Sequence, residues 1–158
     1  IGVLWLTNSI CPAQEHFISN LMRQSLQAGV DRLSVQSDED QAVVVLFLPE
    51  RETHDISLLF VHYLCVLNGY QSIFLGTNVP FEDLLNVAAQ FPKAKFVSYC
   101  TTHPSPSNAQ DYVQKVERQF VGSSNEFYLG GRMFDGIKST TNVKLAKDGG
   151  SLVGLLFS

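Results

Sequence analysis

Ala42-Val43-Val44-Val45-Leu46-Phe47-Leu48 is a near-continuous apolar run that gives way, past Pro49-Glu50-Arg51, to the polar segment Glu52-Thr53-His54-Asp55-Ile56-Ser57. A strand that is apolar at every position has both faces covered, as in a parallel α/β sheet; a half-exposed strand would alternate. Ligands of such sheets bind outside the carboxyl ends of the strands. An acid-x-His segment placed there offers an imidazole to a metal and a carboxylate to orient the ring. Glu52 and His54 are therefore the first candidate site residues.

Downstream, strand and helix patterns alternate. Asp55 to Asn68 suits a helix stopped by Gly69. Ser72 to Leu75 reads as a second strand, followed by Gly76 and a helix from Pro80 to Phe91. Lys95 to Cys100 is a third strand, Ala109 to Phe120 an amphipathic helix, and Phe127 to Leu129 a fourth strand ended by Gly130-Gly131. Val143 to Leu145 makes a fifth, and Leu152 to Leu156 a short closing helix. Repeated βα units imply right-handed crossovers and a sheet with helices on both faces. The prediction is a flavodoxin-like doubly wound parallel sheet of five strands.

Upstream, Phe17, Ile18, Leu21, Met22, Leu26, Val30 and Leu33 recur at helical spacing after Pro12, a residue suited to a first turn. The polar run Ser34 to Gln41 reads as a linker. Residues 1–34 are thus expected to be part of a helical bundle, 35–41 a linker and 42–158 the α/β domain. Ile1 to Leu6 fits the end of a preceding helix, so the chain reads as a fragment of something longer.

The 158 residues carry a net charge of −4 and a pI near 5.5, which does not suit gripping nucleic acid directly. Cys11, Cys65 and Cys100 are scattered, with no CxxC pair, so a reduced, cytoplasmic setting is expected. No apolar run is long enough for a membrane span. GxGxxG and Walker patterns are absent, so neither a dinucleotide nor a nucleoside triphosphate is indicated. The loops holding His54, Ser98 to Thr102, and Gly130-Gly131 belong at one sheet edge. Glycines there admit close backbone approach to a bulky ligand, and small hydroxyls can bond its polar tail.

At these residues the chain resembles the cobalamin-binding domain family, with its D-x-H-x-x-G, S-x-L and G-G motifs. The counterparts are Glu52-x-His54-x-x-Ser57, Ser98-Tyr99-Cys100 and Gly130-Gly131, with 44 residues from His54 to Ser98 and 32 from Ser98 to Gly130. Glu52, Ser57 and Cys100 replace the family's Asp, Gly and Leu. Trp5 and Glu15-His16 match the W-x9-E-H signature of the helical bundle in cobalamin-binding regulators of the MerR type. Glu52-Thr53-His54-Asp55-Ile56 and Leu75-Gly76-Thr77-Asn78-Val79-Pro80 also look closer to that subfamily.

The resemblance implies a sensor module, not an enzyme, that binds adenosylcobalamin or methylcobalamin with its own base displaced from cobalt. His54 would be the lower cobalt ligand and Glu52 its orienting partner. The nucleotide tail would enter a crevice lined by Ser98, Thr101 and Gly130-Gly131, while Trp5, Glu15 and His16 would cover the upper face. Leu6 stands where light-sensing members carry a histidine, which argues against light-driven bis-histidine chemistry. The implied partners are further copies of the chain, and DNA through an N-terminal domain outside this sequence. Two other readings are a corrinoid shuttle of a methyltransferase and a cofactor-less dimerisation domain.

Overall fold

The computed structural model describes residues 11–33, 41–139 and 142–158. The elements are α1 (Pro12–Asp31), β1 (Val44–Pro49), α2 (Ile56–Leu67), β2 (Ser72–Val79), α3 (Phe81–Gln90) and β3 (Lys95–Tyr99). They continue with α4 (Pro106–Gln119), β4 (Glu126–Gly130), a 3-10 turn (Arg132–Phe134), β5 (Val143–Ala146) and α5 (Gly149–Leu156). Every strand pairing is parallel and the order is β2-β1-β3-β4-β5. This is the flavodoxin-like doubly wound sheet predicted. Strand order reverses beside β1, so the β1–β3 boundary is the topological switch point where α/β sheets open a ligand crevice.

All six residues of β1 are buried, because both faces are covered. Val45, Phe47, Phe96, Phe127 and Leu129 pack with Leu84 of α3 and Val113 and Val116 of α4. Val44, Leu46, Val97 and Tyr128 pack on the other face with Leu58 and Val61 of α2 and Leu152 and Leu156 of α5. The first core is aromatic: Phe96 stacks on Phe127 at 4.8 Å and meets Phe47 edge-on at 6.3 Å. Each such pair adds about 0.5–1.5 kcal/mol beyond the apolar area it buries.

Several boundaries differ from the sequence reading. β2 does not stop at Leu75 but runs to Val79, with Gly76 at φ +81° and the register slipping from Leu46↔Phe74 to Phe47↔Gly76 and again to Pro49↔Val79. Glycine supplies a bulge and the edge strand continues past it. α4 starts at Pro106, not Ala109, because proline is preorganised for a first helical turn. α5 starts at Gly149, three residues before Leu152. Asp148 caps it, accepting from the Ser151 N–H at 2.8 Å and the Ser151 hydroxyl at 2.9 Å.

α1 lies against α2, where Gly29 gives room to the Tyr63 ring: a Cβ there would stand 3.0 Å from Tyr63 Cε2. α1 has no fully buried residue. Phe17, Leu21 and Met22 on it are exposed. The proposed linker lies almost wholly outside the described residues, as does the helix end expected over Ile1 to Leu6, with Trp5 and Leu6 in it.

Candidate functional site

β1 ends at Pro49 and the chain turns sharply, with the Glu52 N–H donating to the Pro49 carbonyl at 3.0 Å. Arg51 takes a left-handed conformation (φ 70°) in this turn, and its N–H donates to the Asn78 side chain at 2.8 Å. The turn sends the Glu52 carboxylate inward, where it is 0% exposed.

A buried carboxylate is costly unless its lone pairs are filled. Here they are. Oε1 accepts from the N–H groups of Thr53 (2.9 Å) and His54 (3.0 Å), and Oε2 from those of Thr101 (2.8 Å), Thr102 and His103 (2.8 Å). The Thr102 hydroxyl donates to both oxygens at 3.2 Å. Glu52 thus ties the loop after β1 to the loop after β3 across the switch point. Burial pushes its pKa up, but the Thr102 and His103 N–H groups, the His54 ring and the His54 N–H outweigh it and hold the value at about 2.

The His54 ring completes the set, with Nδ1 2.7 Å from Glu52 Oε1. An ionised carboxylate only accepts, so Nδ1 carries the proton, and in the neutral ring Nε2 is the nitrogen with the lone pair. The ring is 54% exposed, and Nε2 has no hydrogen-bond partner among the described residues. This is a histidine fixed at one nitrogen and open at the other.

Beside the His54 loop lies a cleft of about 710 Å³, walled by α1 on one side and the segment from Thr53 to Ser57 on the other, with Thr101 at its edge. Glu15 and His16 line the α1 wall. Glu15 accepts from the Ser19 hydroxyl at 2.5 Å and lies 3.3 Å from His16 Nδ1. Ser57 is exposed on the opposite wall. The two walls are bolted by Arg23, whose Nε and Nη2 donate to the two Asp55 oxygens at 3.0 and 2.7 Å.

The structure therefore gathers Glu15, His16, Glu52, His54, Ser57 and Thr101 around one cleft or just beneath it. Ser98 is not on its surface: it is 0% exposed, with its hydroxyl 3.5 Å from Cys100 Sγ. Gly130 and Gly131 lie one strand further along the same edge. Gly131 has φ +112°, and a Cβ there would fall 2.1 Å from the Cys100 carbonyl oxygen, so the fold itself demands this glycine. Trp5 lies outside the described residues.

Sequence reading missed Thr102, Arg23 and Asp55. Thr102 was visible only as one of several small hydroxyl residues. Arg23 is a basic residue within the apolar repeat of α1, but nothing in the sequence pairs it with Asp55, 32 positions away.

Among the described residues no group of three or more His, Cys, Asp or Glu side chains is arranged to hold a metal ion. No helix of the described residues is long and apolar enough to cross a membrane.

No protein-family model matches the chain, and no curated protein matches its sequence. Solved structures do match. The monomethylamine corrinoid protein of Methanosarcina barkeri superposes with a TM-score of 0.67 at 16% identity, over 98% of this chain and 74% of that one. A cobalamin-binding protein from Desulfitobacterium hafniense DCB-2 gives 0.58 at 12% identity, over 99% and 74%. The methanol:cobalamin methyltransferase complex of Methanosarcina barkeri gives 0.58 at 14%, over 98% and 59%. At these identities the likeness establishes a shared fold.

Proposed function

We propose that this chain is a corrinoid-binding module in which His54 Nε2 supplies the lower axial ligand to cobalt and Glu52 fixes the imidazole. The observation that carries the reading is the 2.7 Å contact between His54 Nδ1 and a fully buried Glu52, which leaves Nε2 open beside a cleft. The donor set fits such a group. A lone histidine cannot hold a free ion against water, but it suits a metal whose remaining ligands come with it, as cobalt in a corrin ring does. The fold shared with corrinoid and cobalamin-binding proteins supports the same reading.

When bound, adenosylcobalamin or methylcobalamin would supply a cobalt–carbon bond. This chain's own residues bind and orient. His54, fixed by Glu52, would hold the group, Ser57 and Thr101 would border it, and Glu15 and His16 present polar groups from α1. In this reading the module is a sensor, not an enzyme. α1 forms one wall of the cleft and is bolted to the residue after His54, so a ligand that fits only one α1 position biases the helix toward it. The output is a change in association between copies of the chain, read by a DNA-binding domain outside this sequence.

A second reading, a corrinoid shuttle for methyl transfer, is favoured by the likeness to the monomethylamine corrinoid protein and the methanol:cobalamin methyltransferase complex. The experiment begins with mixing purified protein with adenosylcobalamin or methylcobalamin, desalting, and recording the visible spectrum. Retained colour that disappears in His54→Ala is expected. If no cobalamin form is retained, the reading fails and a cofactor-less association domain takes its place. Size exclusion before and after loading then separates sensor from shuttle: a shift in mass supports the sensor, an unchanged mass the shuttle.

A further inference from the structure

Next to Thr101, the C-terminal ends of β3 and β4 form a narrow slot with the start of α5. Its walls are Gly130 and Gly149, and the Tyr99 ring lies in it. A Cβ on Gly130 would stand 2.9 Å from Tyr99 Cδ2 and 3.1 Å from Leu152 Cδ2, and one on Gly149 would stand 4.0 Å from Tyr99 Cε2. The contrast with Gly131 is informative. There the space of the missing Cβ is taken by a backbone carbonyl, which cannot move. At Gly130 it is taken by side chains, which can.

Nothing polar locks the Tyr99 ring. It is half-buried, and its hydroxyl makes no hydrogen bond among the described residues. The ring is held by packing, against Gly130 and against the buried cluster to which Leu152 of α5 belongs. Tyr99 also lies two residues before Thr101, whose N–H is anchored on Glu52. The slot and the open face of His54 therefore share one sheet edge.

We infer that Tyr99 is a removable plug in the Gly130–Gly149 slot, and that it selects among corrinoids by the lower tail they carry. The inference rests on the corrinoid reading above. A tail ending in a flat aromatic base needs a flat slot, and here that slot already holds a ring of similar shape. Such a tail enters only when Tyr99 leaves, and the packing lost by the ring is subtracted from its affinity. A corrinoid without the base leaves Tyr99 where it is.

The test is a visible-absorption titration of the chain, Tyr99→Ala and Tyr99→Phe with aquocobalamin and with diaquocobinamide, which lacks the nucleotide. The ratio of the cobalamin Kd to the cobinamide Kd should fall about ten-fold in Tyr99→Ala and stay unchanged in Tyr99→Phe. Should Tyr99→Ala not fold, Tyr99→Leu keeps an apolar side chain in the slot and should move the ratio the same way by less. An unchanged ratio, with both corrinoids bound, overturns the plug and leaves the corrinoid reading standing. Binding of neither corrinoid by any of these proteins overturns both.

Discussion

Glu52 carries more of this site than the histidine beside it. Its carboxylate is the acceptor for five backbone N–H groups on two loops, so it sets loop geometry before any ligand arrives. Glu52→Gln puts an NH2 group where donors already converge, leaving buried N–H groups without an acceptor. Leaving buried donors without an acceptor is expected to cost about 1–3 kcal/mol, measured by urea unfolding. A cost within experimental error would show that the loops hold their places without the carboxylate. The same exchange should loosen His54, since its Nδ1 would lose an ionised acceptor, so the variant should also retain less cobalamin after desalting.

This residue also shows where sequence reading stops. Glu52 and His54 were legible as an acid-x-His pair because two residues of spacing is a local fact. That Oε2 would reach Thr101, Thr102 and His103, some fifty positions on, follows only from β1 and β3 being neighbours. Ser98 shows the converse. Its position in the motif was legible, but strand alternation turns its side chain into the interior, against Cys100.

Among the elements, α1 carries the response in the proposed reading, and it depends most on one contact. It contributes no fully buried residue, so apolar burial fastens it weakly. The Arg23–Asp55 pair is bidentate and partly shielded, with side chains 32% and 16% exposed. Guanidinium–carboxylate forks of this kind are the stronger class of ion pair. The Asp55 hydrogen bonds raise the pKa of the Arg23 guanidinium and outweigh burial, which lowers it. A double-mutant cycle with Arg23→Ala and Asp55→Ala is expected to give a coupling of about 1 kcal/mol. Amide hydrogen exchange in α1 should quicken in either single variant. Unchanged exchange would mean that α1 is held elsewhere, and the route from cleft to helix would fail.

The helix itself was legible from Pro12 and the apolar repeat, since both are local. Its seat on α2 was not, because Gly29 against Tyr63 and Arg23 against Asp55 join segments that the sequence keeps apart. The extension of β2 past Gly76 was missed for a related reason. A glycine reads as a stop, and only pairing with β1 shows that it is a bulge.

For the molecule as a whole, acid is the natural stress. His62 packs on Phe74 at 5.3 Å, with Nδ1 2.9 Å from the Ser72 hydroxyl, and burial lowers its pKa below 6.5. The unfolded chain therefore takes up this proton first, and the His62 contribution is lost as pH falls below 6.5. Glu52 acts lower down. Its pKa is about 2 when folded against 4.5 otherwise, so its contribution is complete above 4.5 and disappears as pH falls toward 2. Stability by urea titration should therefore decline in two stages, one beginning near pH 6.5 and one below pH 4.5. His62→Gln should flatten the first stage only. A single loss confined to the lower range would contradict the role given to His62.

At this scale the division between the two sources of knowledge is clear. Apolar runs, helical periods and glycine stops are short-range signals, and they were enough for a doubly wound parallel sheet with His54 at its ligand edge. The gathering of Glu52 with the β3 loop, the bolting of α1 to Asp55, the burial of Ser98 and the seating of Tyr99 over Gly130 are contacts between distant segments. They depend on which strands become neighbours and on where each side chain points once packed, and neither is written in local composition.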